Sequence, residues 1–433
     1  MPLEVVDARA ETGVPEVLRK HRDWSRPELA RDIATVRRVV EDVRERGDDA
    51  LCHYSKLVYG AEVTPATLPV PIAERDKAAG RVERRVREAL ETAAAHIRTF
   101  HEAQRPDDWS LDRDGAKVGQ VFRPIRRVGV HAPAGGFPLP SSLLMTVVPA
   151  QVAGVGEIAL CCPADTSGAP PDVMLAAAQV CEVDEIYRIG GAHAIAALAY
   201  GTETIGACDK VAGPGGLYTT LAKREVFGTV GIDGLFGPSE SVVVTDERAR
   251  PTYAAAELLT QAEHDPEAAA VLVTTSEEFL GACLKEVEAQ LQRLPNVADI
   301  RESLANHGLA VLVRDFDQAA EIVNELAPEH VCLQVADPPA LLAKLRAAGA
   351  VMLGDDTPAT VSDYCAGPSH VLPTARTARF QSGLGVRDFL VAMNTVEYSR
   401  QALFRDAPVA DALAAAEGLQ AHREGLHARL EER

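Results

Sequence analysis

The sequence predicts an α/β protein of two Rossmann-like parallel-sheet domains, with a small helical segment at the N-terminus and a helical tail at the C-terminus. Three observations carry this expectation. Short β-branched runs alternate with helix-length apolar segments, first from about Arg127 and again from about Glu240, which is the rhythm of βαβ units on a parallel sheet. Glycine-containing turns at 133–136, 190–193 and 213–216 each follow such a run and precede a helix. Finally, 433 residues at 47% hydrophobic and 25% charged have the balance of a globular chain with apolar surface for more than one core.

Taken in chain order, Ile33, Val36, Val39, Val40 and Val43 recur at helical spacing between about Trp24 and Leu51. A second, charged helix is expected from about Ala73 to Gln104, after the Pro-punctuated connection VYGAEVTPATLPVP. RVGVHAP, EIALCCP, EIYRIGG and DKVAGPGG then read as strands, with SSLLMTVVPAQVAGVG, PDVMLAAAQVCEV and AHAIAALAYG as the helices between them. After GPSE at 237–240 come the strands ESVVVTD, AAAVLVTT, LAVLVRD, HVCLQV and GAVMLGD. Their connecting helices are YAAAELLTQAEH, SEEFLGACLKEVEAQLQRL, FDQAAEIVNELA and PPALLAKLRAAG. The expected division is 1–28 for the helical segment, 29–129 with 239–384 for a larger domain, 130–238 for a second domain and 385–433 for the tail. The tail ends in ALAAAEGLQAHREGLHARLEER, a helix suited to packing on another surface.

Charge argues against nucleic acid as a partner. With 44 Lys+Arg against 63 Asp+Glu the net charge is −19, the wrong sign for a protein that neutralises phosphates. No run approaches the roughly 18 apolar residues of a membrane helix, and the acidic start MPLEVVDARA is not a signal peptide. Eight cysteines without CxxC pairs or regular spacing read as reduced thiols, so a cytoplasmic location is expected.

The residues that carry chemistry fall into two groups. PAGG, GGAH and GPGG are turns whose backbone N–H groups can hold a pyrophosphate at a helix N-terminus. None is the G-x-G-x-x-G fingerprint, and a glycine after a strand is often only a turn. The second group is acid–base or metal-binding in character. Gln261 and His264 of QAEH share a face if that helix continues. Glu329 and His330 lie where a helix gives way to a strand, Asp363 in the loop SDYCAG, His370 in GPSHVLP, and Glu417 and His422 five residues apart near the end. No HExxH or paired cysteines mark a zinc site by spacing. Spacing alone stops at an α/β enzyme that uses a nucleotide.

In these motifs the sequence resembles the histidinol dehydrogenase family over essentially its whole length. ERGDDALCHYS is similar to that family's RGD-x-AL stretch, and PLPSSLLMTVVPAQVAGV to its PS-x-LM helix. GGAHAIAALAYGTETI, DKVAGPGG, GPSE, LLTQAEHDP, LAPEH, GDDTPATVSDY, HVLPT and EGLQAH follow in the family's order. The resemblance implies a zinc-dependent, NAD-linked oxidoreductase that takes L-histidinol through L-histidinal to L-histidine in two hydride transfers. By matching motif it implies Gln261, His264, Asp363 and His422 as ligands of one zinc per subunit. It implies Glu329 and His330 as the catalytic acid–base pair, and Ser239, His370 and Glu417 as contacts to the small-molecule alcohol. It also implies a homodimer whose tails cross over, so that His422 completes the partner's site. In that reading His330, with an ordinary imidazole pKa near neutrality, takes the alcohol proton, and Glu329 activates the water that hydrates the aldehyde.

The sequence departs from the family pattern at three dinucleotide-contact positions. His131 stands where the family has Tyr, His193 where it has Gln, and Gly216 where it has Asn. Three neutral hydrogen-bonding side chains have become two imidazoles and a glycine. Three readings follow: a histidinol dehydrogenase with an unusual cofactor pocket, a paralogue that oxidises another small alcohol or uses another acceptor, and a catalytically silent metal- or nucleotide-binding homologue. The intact Glu329–His330 pair argues against the third.

Overall fold

The computed structural model describes residues 3–11, 14–16, 18, 27–134, 137–295 and 297–431. The start of the expected first helix at Trp24 and Gly135 and Gly136 of the first glycine turn lie outside these residues. Two parallel sheets organise the rest. In the five-stranded sheet, β4 (Arg127–His131), β5 (Glu157–Cys161), β6 (Glu185–Tyr187), β7 (Lys210–Ala212) and β8 (Gly231–Ile232) lie in the order β6-β5-β4-β7-β8. In the six-stranded sheet, β1 (Glu4–Asp7), β9 (Glu240–Thr245), β10 (Ala269–Thr274), β11 (Gly308–Leu312), β12 (His330–Gln334) and β13 (Ala350–Leu353) lie in the order β1-β11-β10-β9-β12-β13. Every residue of β9, β10, β11 and β12 is buried, which is why these strands read as unbroken apolar runs with helices on both faces. All nine strands expected from the alternation are present.

Several features differ from the sequence reading, among them the helix expected from about Ala73 to Gln104, which is two, Ile72–Ala79 and Arg84–Glu102. The segment 1–28 was expected to be helical, yet Glu4–Asp7 is a strand that pairs in parallel with Leu309–Leu312. EVVD gains ladder hydrogen bonds at the sheet's open edge that an isolated short helix could not match.

The helices Pro27–Arg46 and Asp48–Tyr59, expected with the larger domain, pack instead on the five-stranded sheet. Val36, Val40, Val43 and Leu51 share a core with Ile195, Leu198 and Val211. The helices Ile72–Ala79 and Arg84–Glu102 cover its other face, with Leu90 and Ile97 against Leu144 and Val148. The reason lies in AHAIAALAYG and SSLLMTVVPAQVA, which are apolar all round. A helix of that kind needs a covering layer outside it as well as the sheet inside.

A further difference is a small antiparallel sheet, ordered β14-β3-β2, built from β2 (Trp109–Arg113), β3 (Ala116–Pro124) and β14 (Leu390–Tyr398). The expected helical tail therefore begins as a strand. Last, Gly47, at φ +53°, divides the helix expected between Trp24 and Leu51 in two.

The tail's two helices, Arg400–Ala416 and Gln420–Glu431, pack on each other, and the first also packs on β14. Only Ala402 and Ala407 are buried in the first, and no residue in the second. Phe404, Val409 and Leu413 stand exposed on this arm, as do Val391, Met393 and Val396 on β14. Among the described residues no helix is long and apolar enough to cross a membrane.

Candidate active site

The acid–base candidates collect at the amino edge of the six-stranded sheet. His330 is the first residue of β12, paired in register with Ser241 of β9 and Ala350 of β13. Glu329 precedes it, where Ala327 in the left-handed conformation ends the helix Phe316–Leu326 and Pro328 prevents its continuation. Glu329 Oε2 accepts the Glu240 backbone N–H at 3.0 Å, and His330 Nε2 lies 3.1 Å from Asp363 Oδ1. His330 Nδ1 is 3.8 Å from Glu329 Oε2 and, although buried, has no hydrogen-bond partner. Asp363 sits on a short helix, Ala359–Tyr364, rather than in the loop expected from SDYCAG.

His370 is fixed at both nitrogens, with Nδ1 2.7 Å from the Asp363 carbonyl and Nε2 2.9 Å from Ser142 Oγ. A carbonyl only accepts, so Nδ1 carries the proton and Nε2 accepts from the serine. Ser142 belongs to the helix Pro140–Ala153, which opens after β4. His370 thus joins the amino edge of the large sheet to the carboxyl side of the small one.

Burial and charge compete in this cluster. Burial works against a charged His330, but Glu329 and Asp363 outweigh it and raise its pKa to about 9. Burial pushes the Glu329 carboxyl up, opposed by His330, the Glu240 N–H and His264. For Asp363, burial pulls upward, yet the His330 bond and the charges of His330, His370 and His264 hold the carboxyl below its ordinary value. Burial lowers His370.

Gln261 lies in the last turn of the helix Pro251–Ala262, buried, with Nε2 unpartnered. That helix stops at Ala262, so His264 occupies the following turn instead of the same helical face; it is exposed. Ser239 is half-buried directly before β9. Glu417 and His422 remain on the arm, both exposed. Among the described residues neither side chain bonds to the groups around Asp363.

The second and third glycine turns lie at the carboxyl edge of the five-stranded sheet, around its switch point between β4 and β7. His131, the last residue of β4, is buried and bonded at both nitrogens. Its Nδ1 is 2.8 Å from the Pro214 carbonyl, and the Gly191 N–H reaches Nε2 at 3.0 Å. His193 is buried between the rings of Tyr54 and Tyr59, with Nε2 3.4 Å from Ser55 Oγ. Burial lowers both imidazoles, His131 to about 4 and His193 to about 3. Gly213, at φ +111°, must be glycine, because a Cβ there would lie 2.2 Å from the His131 carbonyl oxygen. Gly216 caps the helix Leu217–Val226 in an extended conformation, with open space where a side chain would stand.

Comparison with known proteins decides the family. The histidinol dehydrogenase family model matches residues 25–430. This chain belongs to the histidinol dehydrogenase family. It is 46% identical over 397 residues to the histidinol dehydrogenase of Gluconobacter oxydans (strain 621H), covering 92% of each chain. It is 45% identical over 394 residues to that of Geobacillus kaustophilus (strain HTA426), covering 91% of this chain and 92% of the relative. The crystal structure of histidinol dehydrogenase from Elizabethkingia anophelis superposes with a TM-score of 0.92 at 31% identity, over 99% of this chain and 98% of that one. The chain is an oxidoreductase of this family, acting on a CH–OH group.

The donor set is compatible with the family's metal. Among the described residues no group of three or more His, Cys, Asp or Glu side chains converges to hold an ion. Within one chain the candidates are one imidazole, one carboxylate and one amide, and the buried Gln261 amide lacks a partner. An amide with an unsatisfied buried end and a carboxylate among imidazoles suit zinc, and three donors leave room for a further ligand.

Two positioning residues escaped the sequence reading. Glu257 accepts the Ala359 N–H at 3.2 Å and so anchors the short helix that carries Asp363. Its signal was a carboxylate one turn before Gln261 on an otherwise apolar helix face. Glu240 of GPSE binds the Ala375 N–H at 2.9 Å through Oε1, and so ties the loop after His370 to β9.

Proposed function

We propose that this chain oxidises L-histidinol through L-histidinal to L-histidine, with NAD as acceptor and one zinc per subunit. The observation that carries the reading is the buried Glu329–His330–Asp363 cluster, in which one base and one carboxylic acid are held side by side with raised pKa values. Gln261, His264, Asp363 and His422 of the partner subunit would hold the zinc. When bound, the zinc anchors and orients the substrate, and the nicotinamide receives hydride.

The chain's own residues do the proton work. His330, deprotonated on the alkaline side of its raised pKa, takes the alcohol proton as the C–H hydride departs, which leaves the aldehyde. Glu329, buried and basic for a carboxylate, draws a proton from the water that adds to the aldehyde carbon. His330 returns its proton to the carbonyl oxygen as the water adds, and the hydrate then loses a second proton to the freed imidazole and a second hydride, giving the carboxylate. His370, held by Ser142 and the Asp363 carbonyl, and Ser239 line the substrate side, with Glu417 of the partner subunit. Asp363 fixes the His330 ring through Nε2.

A homodimer follows from the same reading. The arm buries almost nothing on its own chain, and Phe404, Val409 and Leu413 need a surface to cover them. A cytoplasmic location suits the eight free cysteines. The test is turnover of L-histidinol by the zinc-loaded protein with NAD. About two NADH per histidinol consumed is the expected result. A second reading, oxidation of a different small alcohol, draws support from the inward bonding of His131 and His193. Zinc binding without turnover of histidinol would favour it.

A further inference from the structure

In an open parallel sheet the ligand crevice lies where neighbouring strands send their connections to opposite faces, outside the carboxyl ends. In the five-stranded sheet that point is between β4 and β7. The residue standing there is His131. Its ring reaches to both sides, taking the N–H of Gly191 from the turn after β6 and meeting the carbonyl of Pro214 in the turn after β7.

Since a carbonyl accepts only, the proton is on Nδ1 and Nε2 is the acceptor. The Gly191 N–H, at the start of the helix Gly191–Tyr200, is therefore spent on an imidazole instead of an anion. The turn after β7 is rigid around this contact. Asp233 takes the Gly213 N–H at 2.7 Å, and the buried Lys223 bonds both Asp233 and the Gly213 carbonyl. His193 adds a second inward-facing imidazole next to it.

We infer that His131 sets how tightly the dinucleotide side binds its ligand. It clasps the two glycine turns across the crevice and withholds the Gly191 N–H from the acceptor's pyrophosphate. The chain consequently holds its dinucleotide loosely, and opening this clasp tightens binding. The inference rests on the NAD reading above.

Two substitutions separate the two halves of the clasp. His131→Asn places an amide N–H near Nδ1, keeping the Pro214 bond, but does not reach Gly191. His131→Gln places an acceptor near Nε2, keeping Gly191 occupied. Zinc-loaded full-length protein is assayed for the KM of NAD at saturating histidinol, and NAD and ADP-ribose are titrated calorimetrically. His131→Asn is expected to lower the KM for NAD and both dissociation constants about fivefold to tenfold, the worth of one N–H returned to an anion. His131→Gln is expected to leave all three near the wild-type values.

A rise in KM with His131→Asn, or equal effects of the two variants, would overturn the inference. If His131→Asn does not fold, the Gln variant still decides, because a tightening there contradicts the clasp. Failure of wild type and variants alike to bind or reduce NAD would overturn the dinucleotide reading, and this inference with it.

Discussion

Two pairs of histidines, all buried but the half-buried His370, occupy the two sides of this molecule, and their hydrogen bonds face opposite ways. At the amino edge of the six-stranded sheet, His330 is wedged against two carboxylates with one nitrogen unpartnered, and its neighbour His370 bridges to the other domain. At the carboxyl edge of the five-stranded sheet, His131 and His193 have partners supplied by the chain itself. Carboxylates favour the imidazolium of His330, whereas burial without an acid nearby keeps the other two neutral. The difference shows how one residue type separates into chemistry and scaffold. His330, a buried imidazole with an open nitrogen and a charged partner, is equipped to move protons, whereas His131, bonded at both nitrogens by backbone groups, is a strut.

That contrast can be broken by substitution. The largest effect is expected at His330, where Gln removes the base. kcat should fall about 10³-fold while the melting temperature changes little, as measured by steady-state rates and calorimetry. An equally large loss from His193→Gln would erase the distinction between the two sites. Next is Glu329→Gln. Because the carboxylate is assigned to hydration of the aldehyde, single-turnover NADH traces should show the second hydride slowed about 10²-fold and the first far less. Equal slowing of both steps would remove Glu329 from that role.

Glu257→Gln should act at one remove, by loosening the helix that carries Asp363. Zinc affinity by competition with a chelator should drop about tenfold, with a smaller change in kcat at saturating metal. The smallest effect concerns acid stability. An imidazole whose folded pKa lies below its unfolded value of about 6.5 contributes stability that is complete above that value and is lost as pH falls toward the folded pKa. His193, at about 3, should cost the fold stability from about pH 6.5 downward. His193→Gln lacks this term, so its melting temperature should drop less between about pH 7 and about pH 5, by roughly 2–4 °C. Parallel melting curves for the two proteins would assign the acid sensitivity elsewhere.

The family, and with it the inventory of candidate residues, was legible in the motifs from ERGDDAL to EGLQAH. Nine of the eleven strands of the two parallel sheets were legible for a local reason: buried strands must be apolar over their whole length, whatever lies beside them. The antiparallel sheet was not. Trp109–Arg113 and most of Leu390–Tyr398 are exposed, so the first carries no apolar run and the short LVAM of the second is not a core strand, and the partner of β14 lies far away in sequence. The glycine turns could be placed at the carboxyl edge of their sheet by general rule. That rule also put ligands at strand carboxyl ends, yet Glu329 and His330 gather at the amino edge of theirs.

What the sequence determined by itself is which residues are available and which segments become strands or helices, because burial and periodicity act within a few residues. Only the tertiary structure decided what each histidine faces. His131 and His330 both stand at an end of a buried strand, and the adjacent Glu329 is the one local mark that separates the second from the first. The Pro214 carbonyl satisfies the first and the Asp363 carboxylate charges the second. Both partners arrive through the fold from distant positions in the chain, where a local pattern carries no information about them.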